Sequence, residues 1–135
     1  MAHDKNVDKC RQHGGILPEP RSEEENEFLG GLDNYGVFLL GMNDKVIEGM
    51  WVWDSDSTPV IYQNWQMDEG SYNTDANCAV MYRQADWGDI SCHSEVWIEV
   101  WNKILICQKT EGLCFSLFLI FALLLSITAI FLGIT

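Results

Sequence analysis

The stretch that decides the fold lies in the middle of the chain, where residues 51–92 read WVWDSDSTPVIYQNWQMDEGSYNTDANCAVMYRQADWGDISC. It carries four of the six tryptophans together with Cys78 and Cys92, and Cys10 and Cys107 lie on either side of it. Tryptophan is a large side chain that usually packs in a core or binds a ligand, so this density indicates an ordered module. The four cysteines predict a disulfide framework, for which three pairings are open at this point.

The charge balance of the chain is strongly acidic. Its 20 Asp and Glu residues outnumber 8 Lys and Arg, which gives a formal net charge of −12. Because phosphate binding needs clustered Lys and Arg, this composition argues against nucleic acid as a partner. So many carboxylates favour either cation binding or simple solubility, and runs such as Glu23-Glu24-Glu25 are typical of solvated helix faces.

The sequence lacks the motifs that mark common enzymes. It has no Ser/His/Asp grouping in a motif context, no glycine-rich phosphate loop and no HExxH motif. Asp68 and Glu69 are adjacent carboxylates in one loop, and such pairs seldom flank a substrate bond at the required ~5–9 Å. Zinc is also disfavoured, because the cysteines form no CxxC pair. We therefore predict a binding protein and not an enzyme.

Local patterns predict an α+β domain with two helices and several short strands. Residues 3–13 give a first polar helix that Gly14-Gly15 end, while Ser22 and Glu25 form a capping box for a second helix ending near Gly30-Gly31. Residues 63–77 are nearly all polar or small, which predicts a long ordered loop of functional type. Short apolar runs predict strands at residues 37–40, 51–53, 60–62, 78–82 and 96–107.

The C-terminal tail, residues 113–134, has no charged residue over 22 positions. At about 1.5 Å per residue, a helix of this length spans the ~30 Å hydrocarbon core of a bilayer. We therefore predict a transmembrane helix after a short linker at residues 110–112, with the lipid bilayer as a partner. The alternative is a GPI-attachment signal with Gly112 as the small attachment residue.

Six ordered motifs together resemble the C-type lectin-like domain. They are Cys10 with residues 14–17, residues 22–29, residues 38–44, residues 48–53, residues 59–65, and the final set of Cys78, residues 87–89, Cys92 and residues 106–107. The resemblance covers about residues 5–109, so residues 1–109 are assigned to one domain. It implies the C-type lectin-like fold, with two helices, small antiparallel sheets, a long ordered loop and two disulfides. It also implies that the family's first strand is missing and that the N-terminus is truncated.

The resemblance further implies how the cysteines pair. Cys10 would pair with Cys107 and Cys78 with Cys92, which leaves Cys114 free. In the chain-entropy model the inner bridge stabilises the domain by about 3 kcal/mol and the outer bridge by about 4.7 kcal/mol. Because disulfides persist in oxidising compartments, the domain is expected on the extracellular or luminal side of a membrane.

Lectins of this family hold a calcium ion in the long loop through two residue triplets. By resemblance these are Glu69-Gly70-Ser71 and Trp87-Gly88-Asp89, so Glu69, Ser71 and Asp89 are expected to bind both calcium and sugar. Asp75 and Asn77 lie near where another ligand belongs. Calcium takes six to eight oxygen ligands. Because Ser71 is a poorer ligand than asparagine and Gly88 has no side-chain oxygen, we expect weak calcium binding.

The resemblance also implies an auxiliary calcium site at Asp44 and Glu48. The alternative is that Asp44 caps a turn and Glu48 is simply solvated. Two functions remain open. The first is a membrane-anchored C-type lectin receptor that recognises carbohydrate with calcium as cofactor, and the second is a calcium-independent module that binds protein or lipid. In both, the partner is a glycan or protein ligand on the extracellular side.

Overall fold

The computed structural model describes residues 2–32, 37–70, 73–94, 104–109 and 120–124. Its two helices are α1, Ala2–Gln12, and α2, Glu23–Leu32. The strands are β1 Gly15–Ile16, β2 Phe38–Asn43, β3 Val52–Trp53, β4 Cys78–Met81, β5 Trp87–Ile90, β6 Ile104–Lys109 and β7 Ile120–Leu124. This is the α+β architecture that the sequence patterns predict.

The strands form two antiparallel sheets. One has the order β3-β2-β4-β5 and the other the order β1-β6-β7. In the larger sheet Gly88 lies opposite Val80 and Asp89 opposite Ala79. The register between β2 and β4 shifts between Leu40 and Asn43. This irregularity comes just before Asp44, at the end of the sheet where the loops converge.

The start of α2 follows the capping pattern. The Ser22 hydroxyl oxygen accepts a hydrogen bond from the Glu25 amide at 3.2 Å, which satisfies one of the free N–H groups of the first turn. The Glu25 carboxylate reaches back one residue further than predicted, to the Arg21 amide at 2.7 Å. The helix also continues through Gly30 and Gly31 to Leu32, slightly beyond its predicted end.

The core contains three of the four tryptophans that the structure describes. Trp51, Trp53 and Trp87 are buried, and Trp65 packs against them while remaining partly exposed. The Trp65 ring lies 4.6 Å from the Trp51 ring and 5.5 Å from the Trp87 ring, centre to centre. Aromatic pairs at such separations stabilise a core beyond their area burial. The tryptophans of this stretch therefore serve mainly packing.

Both disulfides have the pairing that the resemblance implies. Cys10 of α1 is bonded to Cys107 of β6, and Cys78 of β4 is bonded to Cys92, which follows β5. The first bond joins the N-terminal helix to the smaller sheet. The second holds β4 and β5 together next to the long loop, and the predicted pairing is confirmed.

Two strand predictions need correction. Residues 60–62 form no strand: the contact with β3 is limited to an isolated bridge from Pro59 to Val52 and a hydrogen bond from the Val60 amide to the Trp51 carbonyl. Proline cannot donate to a sheet ladder, so it limits pairing here. The strand predicted at residues 96–107 is described only from Ile104 onward, as β6.

The tail also differs from its prediction where it is described. Ile120–Leu124 pairs as β7 with β6, with Ala122 opposite Ile106, so a helix through these residues is wrong. A short apolar run suits a buried strand as well as a helix, and periodicity alone does not separate the two. In the described part of the chain no helix is long and apolar enough to cross a bilayer. The linker at 110–112, Cys114 and the other tail residues lie outside the described residues.

Candidate functional site

Glu69 is positioned by a tight turn in the long loop. Its amide donates to the Gln66 carbonyl at 3.1 Å, and Asp68 adopts a left-handed φ of 68° inside the turn. The next residue, Gly70, also has a left-handed φ of 82°, and its carbonyl accepts a 2.7 Å hydrogen bond from the buried Trp51 indole. The core therefore fixes the backbone on which the Glu69 side chain is mounted.

Glu69 and Asp89 are brought together, as the resemblance predicts. The Asp89 amide donates to the Glu69 carboxylate at 3.1 Å. A hydrogen bond between the two carboxyl groups, together with burial and the Asp89 charge, raises the pKa of Glu69. Two negative charges this close repel each other. A bound cation would remove that conflict, and so would a shared proton.

The glycines of the two predicted triplets have aromatic neighbours. A Cβ atom added at Gly70 would lie 2.5 Å from the Trp65 ring, and one added at Gly88 would lie 2.5 Å from the Tyr82 ring and hydroxyl. Burial and the charges of Glu69 and Asp89 raise the pKa of the Tyr82 phenol, in keeping with its position near this carboxylate pair. Residues larger than glycine do not fit at either position without movement of a ring.

Asp44 is the most buried carboxylate near the loops. It is 2% exposed, and one oxygen, Oδ2, accepts a 2.8 Å hydrogen bond from the Gly49 amide, which closes the loop after β2. The other oxygen, Oδ1, is buried with no hydrogen-bond partner. A buried polar atom without a partner is costly and calls for an explanation. The turn-capping role weighed from the sequence thus accounts for one of the two oxygens.

Three further carboxylates, those of Glu48, Asp75 and Asp89, interact electrostatically with Asp44 or with one another. Burial and the Asp89 charge raise the pKa of Asp44, while its bond to Gly49 acts in the opposite direction. Partial shielding from water and the charges of Asp44, Asp89 and Asp75 raise the pKa of Glu48. No described cation forms an ion pair with any of these four side chains. The local field therefore favours a positively charged ligand.

The remaining predicted ligands occupy the loop before β4. The Asp75 amide donates to the Asn73 side chain at 3.2 Å, and the Asn77 side-chain amide donates to the Thr74 carbonyl at 3.0 Å. The Asp44 amide contacts the Asn77 carbonyl at 3.4 Å, so this loop and the loop after β2 are joined. Ser71 lies outside the described residues.

The described side chains of this group do not form a closed metal site. Among the described residues no three Asp, Glu, His or Cys side chains lie close enough together to hold a metal ion as they stand. Glu48 and Asp75 are exposed and can rotate, whereas Asp44 is fixed by burial and by Gly49. Calcium also accepts amide and backbone oxygens, so a calcium site at these residues would require the exposed carboxylates to turn inward.

Sequence reasoning missed Tyr82 and the buried orphan oxygen of Asp44. The signal available for Tyr82 was Gly88 itself, since a glycine in place of a larger residue leaves a volume that a neighbour can fill. The burial of Asp44, which follows the register shift between β2 and β4, had no local signal in the sequence.

The family model for the lectin C-type domain matches residues 1–98, and the chain belongs to this family. Its members are binding proteins. The chain is 30% identical over 100 residues to a mannose-binding protein of Gallus gallus. The aligned region covers 73% of this chain and 37% of the relative. It is 33% identical over 118 residues to C-type lectin domain family 3 member A of Bos taurus, covering 80% of this chain and 54% of the relative. The chain thus spans about half or less of the length of these curated relatives.

Two solved structures extend the comparison. The cow carbohydrate-recognition domain of CD23, crystallised in the presence of GlcNAc2Man3 oligosaccharide, is 30% identical with a TM-score of 0.63, over 70% of this chain and 73% of that one. A calcium-independent type II antifreeze protein is 26% identical with a TM-score of 0.62, over 70% and 72%. The same fold therefore occurs in a protein described as calcium-independent.

Proposed function

We propose that this domain is a C-type lectin that binds glycans, with a calcium ion held at Asp44, Glu48, Asp75 and Asp89. The observation that carries the proposal is the buried, unpartnered Oδ1 of Asp44. A cation would supply the missing partner and would offset the negative charges that raise the pKa of Asp44 and of Glu48. When bound, calcium supplies positive charge and a rigid oxygen-coordination shell.

The residues have separate tasks in this proposal. Asp44 gives a fixed ligand on the loop after β2, Asp89 gives one on β5, and Asp75 and Glu48 close the site by rotation. Asn77 joins the two loops through its carbonyl contact with the Asp44 amide. Holding these loops together would order the ligand-binding face that also carries Glu69. Glycan recognition is proposed from family membership and from the named sugar-related relatives.

We also propose that the domain works outside the cytosol. The two disulfides support this placement, since such bonds rarely persist under reducing conditions. Its partner would be a glycan or glycosylated protein on the extracellular or luminal side. Association of the remaining tail with a lipid bilayer stays a prediction, and the strand formed by residues 120–124 argues against an unbroken helix there.

A calcium-independent protein-binding function is the second candidate. Its support is the composition of the two triplets, since Gly88 supplies no side-chain oxygen and Ser71 is a poorer calcium ligand than asparagine. Four apolar side chains near these loops are strongly exposed, and they suit a protein contact: Val46, Ile47, Met50 and Met67.

Glycan-array binding of the domain with calcium and with a chelator separates the two candidates. The calcium-dependent proposal predicts glycan binding that the chelator removes and that Asp44→Asn also removes. Asp8→Asn is the matched control, because it removes the same charge from an exposed position on α1. Binding that survives both the chelator and Asp44→Asn would contradict calcium dependence, and the absence of glycan binding in all samples would favour the protein-binding function.

A further inference from the structure

Tyr82 occupies the space next to Gly88 that a side chain at position 88 would need. A Cβ atom at Gly88 would lie 2.5 Å from the Tyr82 hydroxyl oxygen, 2.5 Å from Cε2 and 2.8 Å from Cζ. Real Cβ contacts essentially never fall below 3.0 Å, so one of the two groups would have to move. The backbone of Gly88 has no left-handed φ, so the obstacle is the ring and not the main chain.

Both the backbone and the ring of Tyr82 are held in place. The backbone amide donates to the Asp86 carbonyl at 2.8 Å, and the backbone carbonyl accepts from the Ala85 amide at 3.0 Å, which closes the turn between β4 and β5. The ring packs against the buried cluster that includes Val80 and Leu39. Swinging the ring outward would expose apolar surface that is now covered, so an added side chain at position 88 meets resistance.

Gly70 shows the same arrangement in the other triplet. Its Cβ position lies 2.5–2.9 Å from three atoms of the Trp65 ring, and its left-handed φ of 82° excludes proline, whose φ is fixed near −65°. Both triplets therefore carry a glycine with an aromatic ring in the side-chain direction. At position 88, where glycine supplies no side-chain ligand, the Tyr82 ring fills the space that such a ligand would need.

We propose that Tyr82 is a specificity-determining residue, whose ring closes position 88 so that the Glu69–Asp89 pair cannot complete a calcium site. A ligand bound there would be held by hydrogen bonds from this chain's own side chains, without an ion between protein and ligand. The inference deepens the proposed function, because it confines calcium to the group around Asp44. Its steric part is independent of whether that group binds calcium.

A stability cycle tests the steric part. Gly88→Ala adds only the clashing methyl group, and overpacking of this kind lowers the Tm by about 5 °C or more. In a Tyr82→Val background, where the shorter side chain suits a strand end and cannot reach position 88, Gly88→Ala should leave the Tm unchanged. Gly31→Ala is the control, because its Cβ would meet nothing within 4 Å. Equal losses from Gly88→Ala in both backgrounds would overturn the inference.

Calcium titration calorimetry tests the functional part. All variants carry Ser71→Asn, so that position 71 offers an amide oxygen. Gly88→Asn alone and Tyr82→Val alone should bind the same number of calcium ions as their parent. The combined variant should bind one more, which Glu69→Gln removes without affecting the ion held around Asp44. An additional ion with Tyr82 intact, or none in the folded combined variant, would overturn the proposal. If the combined variant does not fold, the alanine cycle above still decides the steric claim.

The two proposals fail in different ways. If the calcium proposal is wrong, the wild-type domain will bind no calcium. The effect of Gly88→Ala on the Tm will still differ between the wild-type and Tyr82→Val backgrounds. Failure of the Tyr82 inference would appear as equal effects in the two backgrounds, whatever the wild-type domain binds.

Discussion

Replacing Asn26 with alanine should destabilise the domain by breaking the link between α2 and the strand that carries the site. Asn26 is 1% exposed, its oxygen accepts a 2.6 Å hydrogen bond from the Trp87 indole, and its amide donates to the Ala85 carbonyl at 3.0 Å. Trp87 is fully buried, so Asn26→Ala leaves its indole N–H without this partner. The Ala85 carbonyl keeps a second donor, the side-chain amide of Asn64 at 2.8 Å.

These contacts set the expected size of the effect. An orphaned buried donor costs about 1–3 kcal/mol, and the lost bond to Ala85 adds about 1 kcal/mol, so Asn26→Ala should cost about 2–4 kcal/mol. Urea unfolding followed by far-UV circular dichroism measures this free energy without relying on tryptophan fluorescence, which the change would perturb. Glu27→Ala, at the exposed neighbouring position, should stay within about 0.5 kcal/mol of wild type.

A second variant assigns the loss to the indole bond. In a Trp87→Phe background the indole donor is absent, so Asn26→Ala should cost clearly less than it does in the wild-type domain. A loss below about 0.5 kcal/mol for Asn26→Ala, or an equal loss in both backgrounds, would refute the reasoning.

Three other outcomes follow from the described contacts. Peptide mapping should recover the Cys78–Cys92 bridge, and reducing it should lower the Tm, since a loop of this size stabilises by about 3 kcal/mol; an unchanged Tm would count against that role. Deleting residues 113–135 should lower the Tm by uncovering the edge of β6, whereas release from membranes with an unchanged Tm would favour a spanning tail. Hydrogen bonds from Thr58 and the Arg21 charge lower the pKa of Asp56 to about 2, so its contribution to stability is present above about pH 4 and lost as the pH falls towards 2. Acid titrations of Asp56→Asn should lack that part of the loss, and an identical acid profile would contradict it.

Local sequence signals predicted the elements that depend on neighbouring residues. The capping box at Ser22 and the apolar run that became β2 were readable because hydrogen bonding and burial there follow from a few adjacent side chains. The disulfide pairing was different: spacing alone left three pairings open, and only the resemblance to a known family chose between them.

The remaining features depend on contacts between distant parts of the chain. Trp87–Ile90 forms a strand because it pairs with β4, although its own four residues carry little strand pattern. The apolar residues 120–124 pair with β6, a choice that hydropathy does not reveal. In the site, the predicted approach of Glu69 and Asp89 is seen, whereas the orphan oxygen of Asp44 and the ring of Tyr82 over Gly88 emerge only from packing.

The calcium-dependent shift in Tm of the wild-type domain and of Asp44→Asn is the most direct test of the account. With a dissociation constant in the extracellular range of about 10⁻⁴ to 10⁻³ M, calcium at about 10 mM should stabilise the wild-type domain by about 1.4–2.7 kcal/mol, which raises the Tm by about 5 °C or more. Asp44→Asn should fold without loss of stability in the absence of calcium and should show no shift, whereas Glu69→Gln should keep it. An equal shift in wild type and Asp44→Asn, or none in either, would contradict the assignment of calcium to Asp44.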